Sequence, residues 1–319
     1  MLFRSNPDGT GSIKKHYCMG RISHELVQVM PDNRTALMGD DATNSAYFVF
    51  VADKEKDLSS GTLYVAKVGS GFSIDPSANS SAALTWIKMG SATSAEIEQL
   101  ANTLKPTDIM TVVSKDPADA SYTKIVANGK TEWIKLNPGM EKAAAFLETH
   151  RYAAYLGASL GFTKMEGTTV NAKDKIAYSA LQNIQSSMVA GNAANVPGNG
   201  ISVPKQLVAG AVMALNLKGG QKDTAGGTIN SEWMPVDTKA LLAGEDIAAD
   251  ALGNTANPNK IANPDNLKFS EKMRTLFIGE DSGQHVNNFL WAYNIDTKQL
   301  SRVMSIPAGG ESTGLHAVE

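Results

Sequence analysis

The sequence predicts an all-β fold of short strands, interrupted by one helical insertion, within a single domain over residues 1–319. Two observations predict it. Runs of four to seven β-prone residues recur, with a turn roughly every eight to twelve residues. Good helix formers are concentrated between about residues 90 and 150. Strands at this spacing are typical of a sandwich, a barrel or a propeller.

The N-terminal part of the chain shows the strand pattern first. Residues 25–30 (ELVQVM) alternate in polarity and end at the turn sequence PDNR. Residues 46–51 (AYFVFV) and 61–67 (GTLYVAK) are rich in β-branched and aromatic residues. Because Gly, Pro, Asp or Asn punctuates the chain between such runs, we expect several short strands here.

The pattern then changes to a helical one. Residues 94–101 (SAEIEQLA) and 138–148 (PGMEKAAAFLE) consist mainly of good helix formers. In the second run, Met140, Ala144 and Leu147 fall on one helical face. These helices flank two short strand-like runs, so we expect a helix-containing insertion on a β scaffold.

The C-terminal part returns to strands. Residues 274–279, 288–294 and 300–306 are β-prone runs joined by polar turns that carry Asp, Asn or Gly. Strand–turn–strand–turn–strand in this form is typical of a propeller blade, although no strict repeat of 40–50 residues is visible. We therefore predict a partial propeller of several blades. Both ends of the chain resemble the interior of a repeat, and we expect truncation at each.

Composition excludes several classes of protein. The chain has 42% hydrophobic residues, 29 basic against 32 acidic side chains and a net charge of -3. A near-neutral balance argues against a nucleic-acid-binding surface. No run approaches about 18 apolar residues, so no membrane-spanning helix is predicted. The single cysteine, Cys18, excludes a disulfide framework and a multi-thiolate zinc site.

Acidic residues recur where strands enter or leave turns. Calcium requires several oxygen ligands, and carboxylates from separate blades can meet at the axis of a propeller. An Asp at a strand end is more often a turn former, whereas Glu is a poor local cap, so the four Glu residues are the sharper candidates. The candidate ligands are Glu25, Asp41, Glu166, Asp265, Glu280, Asp281 and Glu311.

Other catalytic patterns are weak. The sequence contains no GxSxG, GxxxxGK[ST] or HExxH motif, and its five histidines lack metal-ligand spacing. Cys18 fits a buried, inert thiol better than a nucleophile. Arg21 and Lys164 are basic residues that can hold an anion, although each would ordinarily be a solvated side chain.

The order of short motifs from about residue 16 to the end resembles the PhoX-type alkaline phosphatase family. The match is weakest between residues 70 and 145. The motifs are GRISHE (20–25), GDD (39–41), YFVF (47–50), GTLYVAK (61–67), RYAAYLGA (151–158), FTKMEG (162–167), NPDN (263–266), GEDSG (279–283), NNFLWAY (287–293) and PAGGESTG (307–314).

The resemblance implies a β-propeller phosphatase, periplasmic or extracellular and monomeric when complete. It would hydrolyse small-molecule phosphate monoesters with Ca²⁺ and Fe³⁺. By position, Glu25 and Glu166 resemble metal-bridging carboxylates. Lys164 takes the place of an arginine typical of many members and, with Arg21, would contact the phosphate. Lysine lacks the bidentate fork of arginine.

One family feature is missing, and two other functions stay open. Nothing in the chain matches the family's N-terminal cysteine ligand of iron, and Cys18 lies in a different motif. We therefore expect the chain alone to be poorly active. The alternatives are a lactonase- or esterase-type propeller hydrolase and a calcium-binding propeller without catalysis. A substrate panel and elemental analysis distinguish them.

Overall fold

Antiparallel sheets follow one another along the chain, and the computed structural model describes them over residues 2–317. A hairpin begins the chain, and a five-stranded meander, which we call the first blade, follows it. The hairpin is β1 (Leu2–Ser5) and β2 (Gly11–Lys14). The first blade is β3 (His24–Val29), β4 (Thr35–Asp40), β6 (Phe48–Lys54), β7 (Asp57–Val68) and β8 (Ala82–Thr93), with β5 (Thr43–Ser45) lying outside this sheet.

Residues 94–155 carry all four α-helices of the described chain. A three-stranded sheet of order β10-β11-β9 lies between the second and third helices along the chain. Helix α1 begins with a capping box, in which Thr93 and Glu96 satisfy each other's backbone N–H groups. The elements are α1 (Ser94–Thr103), α2 (Pro106–Ile109), β9 (Met110–Val113), β10 (Thr123–Ala127), β11 (Lys130–Leu136), α3 (Glu141–Leu147) and α4 (Thr149–Tyr155).

Two further blades complete the described chain. The second blade is β13 (Thr168–Asn171), β14 (Ile176–Leu181), β15 (Ala211–Lys218) and β17 (Asp237–Ala243). The third blade is β18 (Pro264–Ser270), β19 (Thr275–Glu280), β20 (Phe289–Asn294) and β21 (Gln299–Ser305). The short strands β12 (Phe162–Thr163) and β16 (Met234–Pro235) pair with β5 and β15.

The predicted all-β, propeller-like fold is confirmed, with one difference in how the blades meet. At their outer edges β8 and β17 pair through Asp237 with Ala83 and Thr238 with Ala82. This short ladder joins the first two blades, together with β16, into one ten-stranded sheet. No helix within residues 2–317 is long and apolar enough to cross a bilayer.

The hydrophobic core fills the spaces between these layers. Phe48 and Phe146 pack between the first blade and the helices. Trp86 and Phe162 belong to a second cluster between the first and second blades, and Tyr178 belongs to a third, between the second and third blades. Burial of such side chains is the main stabilising term in a fold of this kind.

The inner strands β3, β13 and β18 converge at one side of this core. The backbone N–H of Leu26 donates to the carbonyl oxygen of Glu166 at 3.2 Å, which joins the first blade to the second. A Cβ atom at Gly167 would lie 1.9 Å from the carbonyl oxygen of Asp265. The second and third blades therefore approach so closely here that only glycine fits.

Candidate functional site

Each of the three blades carries one acidic residue at an equivalent point, within its inner strand in the first and third blades and two residues before β13 in the second. The residues are Glu25, Glu166 and Asp265. In every blade the residue two positions after the acid pairs with the residue thirteen positions after it: Val27 with Met38, Thr168 with Ser179, and Leu267 with Ile278. The three acids therefore occupy one structural position, repeated from blade to blade.

The ladder is irregular at this position in the first and third blades. The register shifts between His24 and Val27 in one and between Pro264 and Leu267 in the other, so that Glu25 and Asp265 lie within the irregularity. A bulge bends a strand locally and re-aims its side chains. The local backbone therefore turns these two acids away from the regular sheet pattern.

A second position repeats sixteen residues after each acid, at Asp41, Gln182 and Asp281. In each blade its backbone N–H donates to the carbonyl oxygen of the residue two before the acid. The three bonds are Asp41 to Ser23 at 2.9 Å, Gln182 to Lys164 at 2.8 Å and Asp281 to Asn263 at 3.3 Å. Each blade thus presents a pair of side chains to the same region.

Lys164 is the cation of this region. Its ammonium group contacts Glu166 Oε1 at 2.5 Å and also donates to Asp41 Oδ1, so it bridges the first and second blades. Burial lowers the pKa of Lys164, but the hydrogen bonds to both carboxylates outweigh it and raise the pKa overall. Its backbone adopts φ +50°, a left-handed conformation that is strained for a residue with a Cβ.

Glu166 is a buried acid whose ionisation is unfavourable. Its side chain is only 5% exposed. Burial raises the pKa of Glu166 to about 9; Lys164 opposes this rise, and the neighbouring carboxylates of Asp265 and Asp41 add to it. One lysine does not offset the charge that would collect here.

The other acids show the same crowding. Burial raises the pKa of Asp265 to about 6, and the charges of Asp281 and Glu25 contribute to the rise. Burial and then the charge of Asp41 raise the pKa of Glu25, while Lys164 opposes them and Glu311 adds to them. Negative charge is thus concentrated at one place.

Three of these acids can share one ion. Carboxylate oxygens of Glu166, Asp265 and Asp281 all lie within 4.8 Å of one another. Glu166 and Asp265 are buried, whereas Asp281 is exposed. We call Glu25, Asp41, Lys164, Glu166, Asp265 and Asp281 the hub cluster.

Glu311 is exposed and lies within electrostatic range of Glu25, at the margin of the hub cluster.

Two other predicted site residues are not brought to the cluster. Arg21 has a side chain 73% exposed, and its guanidinium donates to Leu147 O at 3.3 Å and pairs with Glu148 at 3.5 Å. It lines a cavity of about 320 Å³ beside the helices.

Glu280 is the second residue outside the cluster, although it directly precedes Asp281. It is completely buried, and its two oxygens accept four hydrogen bonds from the third blade and the segment that leads into it. A carboxylate saturated in this way is a poor candidate for binding an ion. The donors are the backbone N–H groups of Ala262 and Phe289, Trp291 Nε1 and His285 Nδ1.

Cys18 lies elsewhere in the fold. It is buried, and its thiol contacts Leu58 O and Ser94 Oγ, each at 3.2 Å. Burial raises the pKa of Cys18, so the reactive thiolate is disfavoured. The structure thus agrees with the expectation of an inert thiol.

Two amides at the site were missed from the sequence. Gln182 occupies the position of Asp41 and Asp281, and its Nε2 donates to the Asp281 carbonyl oxygen at 3.4 Å. Asn266 donates to Asp265 Oδ1 and accepts from Gly314 N at 2.5 Å. The interval of sixteen residues that pairs Glu25 with Asp41 and Asp265 with Asp281 would have identified Gln182.

Comparison with known proteins bears on the family and the fold of the chain. The family model described as alkaline phosphatase PhoX matches residues 5–316. The solved structure of Pseudomonas fluorescens PhoX in complex with vanadate, a transition state analogue, is similar, with a TM-score of 0.58 and 19% identity. The match covers 96% of this chain and 48% of that one, so the chain spans about half the length of the solved protein. At this identity the likeness establishes the fold alone. Among curated protein sequences, none matches the chain.

Proposed function

The chain belongs to the PhoX alkaline phosphatase family, and on that premise we propose that its hub cluster is the metal site of a phosphatase acting on phosphate monoesters. Small-molecule substrates and a periplasmic or extracellular location are part of the same proposal, because they too rest on the family. The observation that carries the proposal is the convergence of Glu166, Asp265 and Asp281 within 4.8 Å.

The donor set supports a hard cation. The hub cluster presents five carboxylates against one lysine, and burial raises the pKa of Glu166 to about 9. A bound cation would favour the ionised form of such an acid and relieve the repulsion between neighbours. Carboxylate and amide oxygens, without a thiolate, are the ligands that calcium prefers.

The proposed ions are Ca²⁺ and Fe³⁺. Ca²⁺ is supported by the oxygen donors described above, whereas Fe³⁺ enters through the family resemblance. When bound, such cations supply positive charge that neutralises phosphate oxygens and the charge that develops on them. Glu166, Asp265 and Asp281 would hold a cation, with Glu25 and Asp41 close to them.

Lys164 would orient the phosphate. Its ammonium group is 29% exposed and is held by Asp41 and Glu166, which places a fixed positive charge beside the carboxylates. A third hydrogen donor on the same nitrogen is available for a phosphate oxygen. Fixed charge at a partly buried position stabilises an anion more than the same charge in water does.

The test combines binding with turnover. The metal-free chain is titrated with Ca²⁺ by isothermal titration calorimetry and then, with Ca²⁺ present, with vanadate. Hydrolysis of p-nitrophenyl phosphate is measured with Ca²⁺ and Fe³⁺. We expect Glu166→Gln to weaken Ca²⁺ binding at least about tenfold, since it removes a charged ligand. Glu245→Gln, at a half-exposed residue that pairs with Lys260 away from the hub cluster, is the matched control.

Three results would count against the proposal. Equal Ca²⁺ affinity in the wild type and Glu166→Gln would remove the hub cluster as the metal site. Ca²⁺ binding without vanadate binding or turnover would favour a non-catalytic calcium-binding propeller. Hydrolysis of p-nitrophenyl acetate in place of the phosphate ester would favour a lactonase or esterase.

A further inference from the structure

The first and third blades each carry a fully buried carboxylate directly before the second repeated position, which Asp41 and Asp281 occupy. Asp40 precedes Asp41 and Glu280 precedes Asp281, and both are 0% exposed. They share a ladder position as well, since Asp40 pairs with His24 and Glu280 pairs with Pro264, the residue before the inner acid in each blade. The two carboxylates are therefore equivalent in the repeat.

Each carboxylate holds the segment that leads into its inner strand. Asp40 Oδ1 accepts from the backbone N–H of Ser23 at 2.8 Å, and Glu280 Oε1 accepts from the backbone N–H of Ala262 at 2.9 Å. Backbone groups beside an irregular ladder lack regular partners, and the buried carboxylates supply one. In the first blade Ser23 is fixed twice, because its carbonyl oxygen accepts from Asp41 N.

A histidine completes each arrangement. His150 Nε2 on α4 contacts Asp40 Oδ2 at 2.5 Å, and Ser45 Oγ donates to the same oxygen at 2.6 Å. In the third blade His285 Nδ1 contacts Glu280 Oε2 at 3.0 Å, and its Nε2 lies 3.3 Å from Asn257 O. Because a carboxylate only accepts, each ring nitrogen that faces one is the donor.

The second blade has no buried carboxylate at the equivalent position. The equivalent position is Leu181, which is buried in the apolar core, and the residue after it, at the position of Asp41 and Asp281, is the neutral Gln182. In the first and third blades, a buried carboxylate that contacts a histidine thus precedes a charged residue of the hub cluster. The second blade has neither the buried carboxylate nor the charged residue at these positions.

We propose that His150 and His285 are positioning residues of the hub cluster. Each holds a buried carboxylate, and that carboxylate fixes the spacing between the inner acid and the outer Asp of its blade. The helical insertion thereby supports the hub through His150. This inference rests on the proposed function, because it concerns the affinity of the same carboxylates for a cation.

The experiment compares the replacement of each histidine by leucine with its replacement by glutamine. Leucine removes the donor, whereas the glutamine amide can still donate to the carboxylate. Ca²⁺ affinity is measured by calorimetry on each purified variant, and thermal unfolding is followed in EDTA. We expect His150→Leu and His285→Leu to bind Ca²⁺ at least about tenfold more weakly, in line with the effect of losing a group that orients a metal ligand. We expect the glutamine variants to remain within about threefold of the wild type, since they keep the donor.

The controls separate positioning from simple stability. His316→Leu makes the same change at an exposed residue against the third blade, and we expect unchanged affinity. Where a leucine variant does not fold, His150→Asn keeps an amide that is too short to reach Asp40, and weaker binding is again expected. Leucine or asparagine variants that unfold at a lower temperature yet bind Ca²⁺ like the wild type would overturn the proposal. A wild type that does not bind Ca²⁺ would instead contradict the proposed function.

Discussion

The first and second blades share a backbone register but carry different chemistry at it. In the first blade, Glu25 and Asp41 are both acidic, and Asp40, directly before Asp41, is a buried acid. In the second, Glu166 is followed sixteen residues later by the neutral Gln182, and Leu181 takes the place of the buried acid. The second blade instead supplies Lys164, which reaches across to Asp41 in the first.

The difference shows that strand geometry and site chemistry are separable in this fold. The register positions side chains at the inner ends of the blades, whichever residues occupy those positions. The charge of the hub cluster then depends on a few substitutions within a constant frame. Two neighbouring blades complement each other, because one brings an additional acid and the other brings the cation.

Gly167→Ala should break this arrangement and have the largest effect. The new Cβ would lie 1.9 Å from the Asp265 carbonyl oxygen, a backbone atom that cannot move independently. Separating the second and third blades would also separate Glu166 from Asp265. We expect a loss of about 3 kcal/mol or more in the free energy of unfolding, at the upper end of overpacking effects. Urea denaturation of the metal-free protein measures it.

Gly283→Ala is the matched control. A Cβ there meets no atom within 4 Å, and the residue does not have a positive φ. We expect a change within about 0.5 kcal/mol, as for an ordinary surface substitution. Equal stability of the two variants would mean that the second and third blades do not approach as closely as described.

The sequence predicted many of the strands and named all six residues of the hub cluster as candidates, but it did not predict the repeat that relates them. The apolar run in β6 and the helix formers in α1 were sufficient for their elements. Strand β18 was missed because Pro264, Asp265 and Asn266 are typical turn residues, and here they lie in an irregular ladder. Glu280 was included because it is a glutamate at the end of a strand, and the sequence does not show that four donors already saturate its carboxylate. Arg21 was included by motif position, and only the fold reveals its pairing with Glu148.

A pH dependence of stability should sharpen the comparison through Glu166. Burial raises its pKa from 4.5 to about 9 in the folded chain. Between these values the folded state retains a proton that the unfolded state has lost, so stability falls as pH rises. We expect the metal-free protein to lose about 1–2 kcal/mol between pH 5 and 8, within the bound of about 1.4 kcal/mol per pH unit for one proton.

Denaturation at several pH values in EDTA checks this expectation. Glu166→Gln cannot ionise, so its stability should change less over the same range. Excess Ca²⁺ should stabilise the wild type more at pH 8 than at pH 5, because the cation binds the ionised acid. A wild type and Glu166→Gln with the same pH dependence would show that Glu166 ionises normally.

The smallest expected effect concerns the position at which the two blades differ most directly. Gln182→Asp gives the second blade the residue that the first and third blades carry there, Asp41 and Asp281. An additional charged oxygen ligand should strengthen Ca²⁺ binding about threefold to tenfold, since calcium affinity rises with the charge of its ligands. In EDTA the same variant should be slightly less stable, because the new carboxylate joins an already crowded set.

Asn183→Asp places the same charge one residue further along the chain and serves as the control in calorimetry. Equal gains in affinity for both variants would indicate a general electrostatic effect, and the equivalence of Gln182 with the two aspartates would then have no functional meaning.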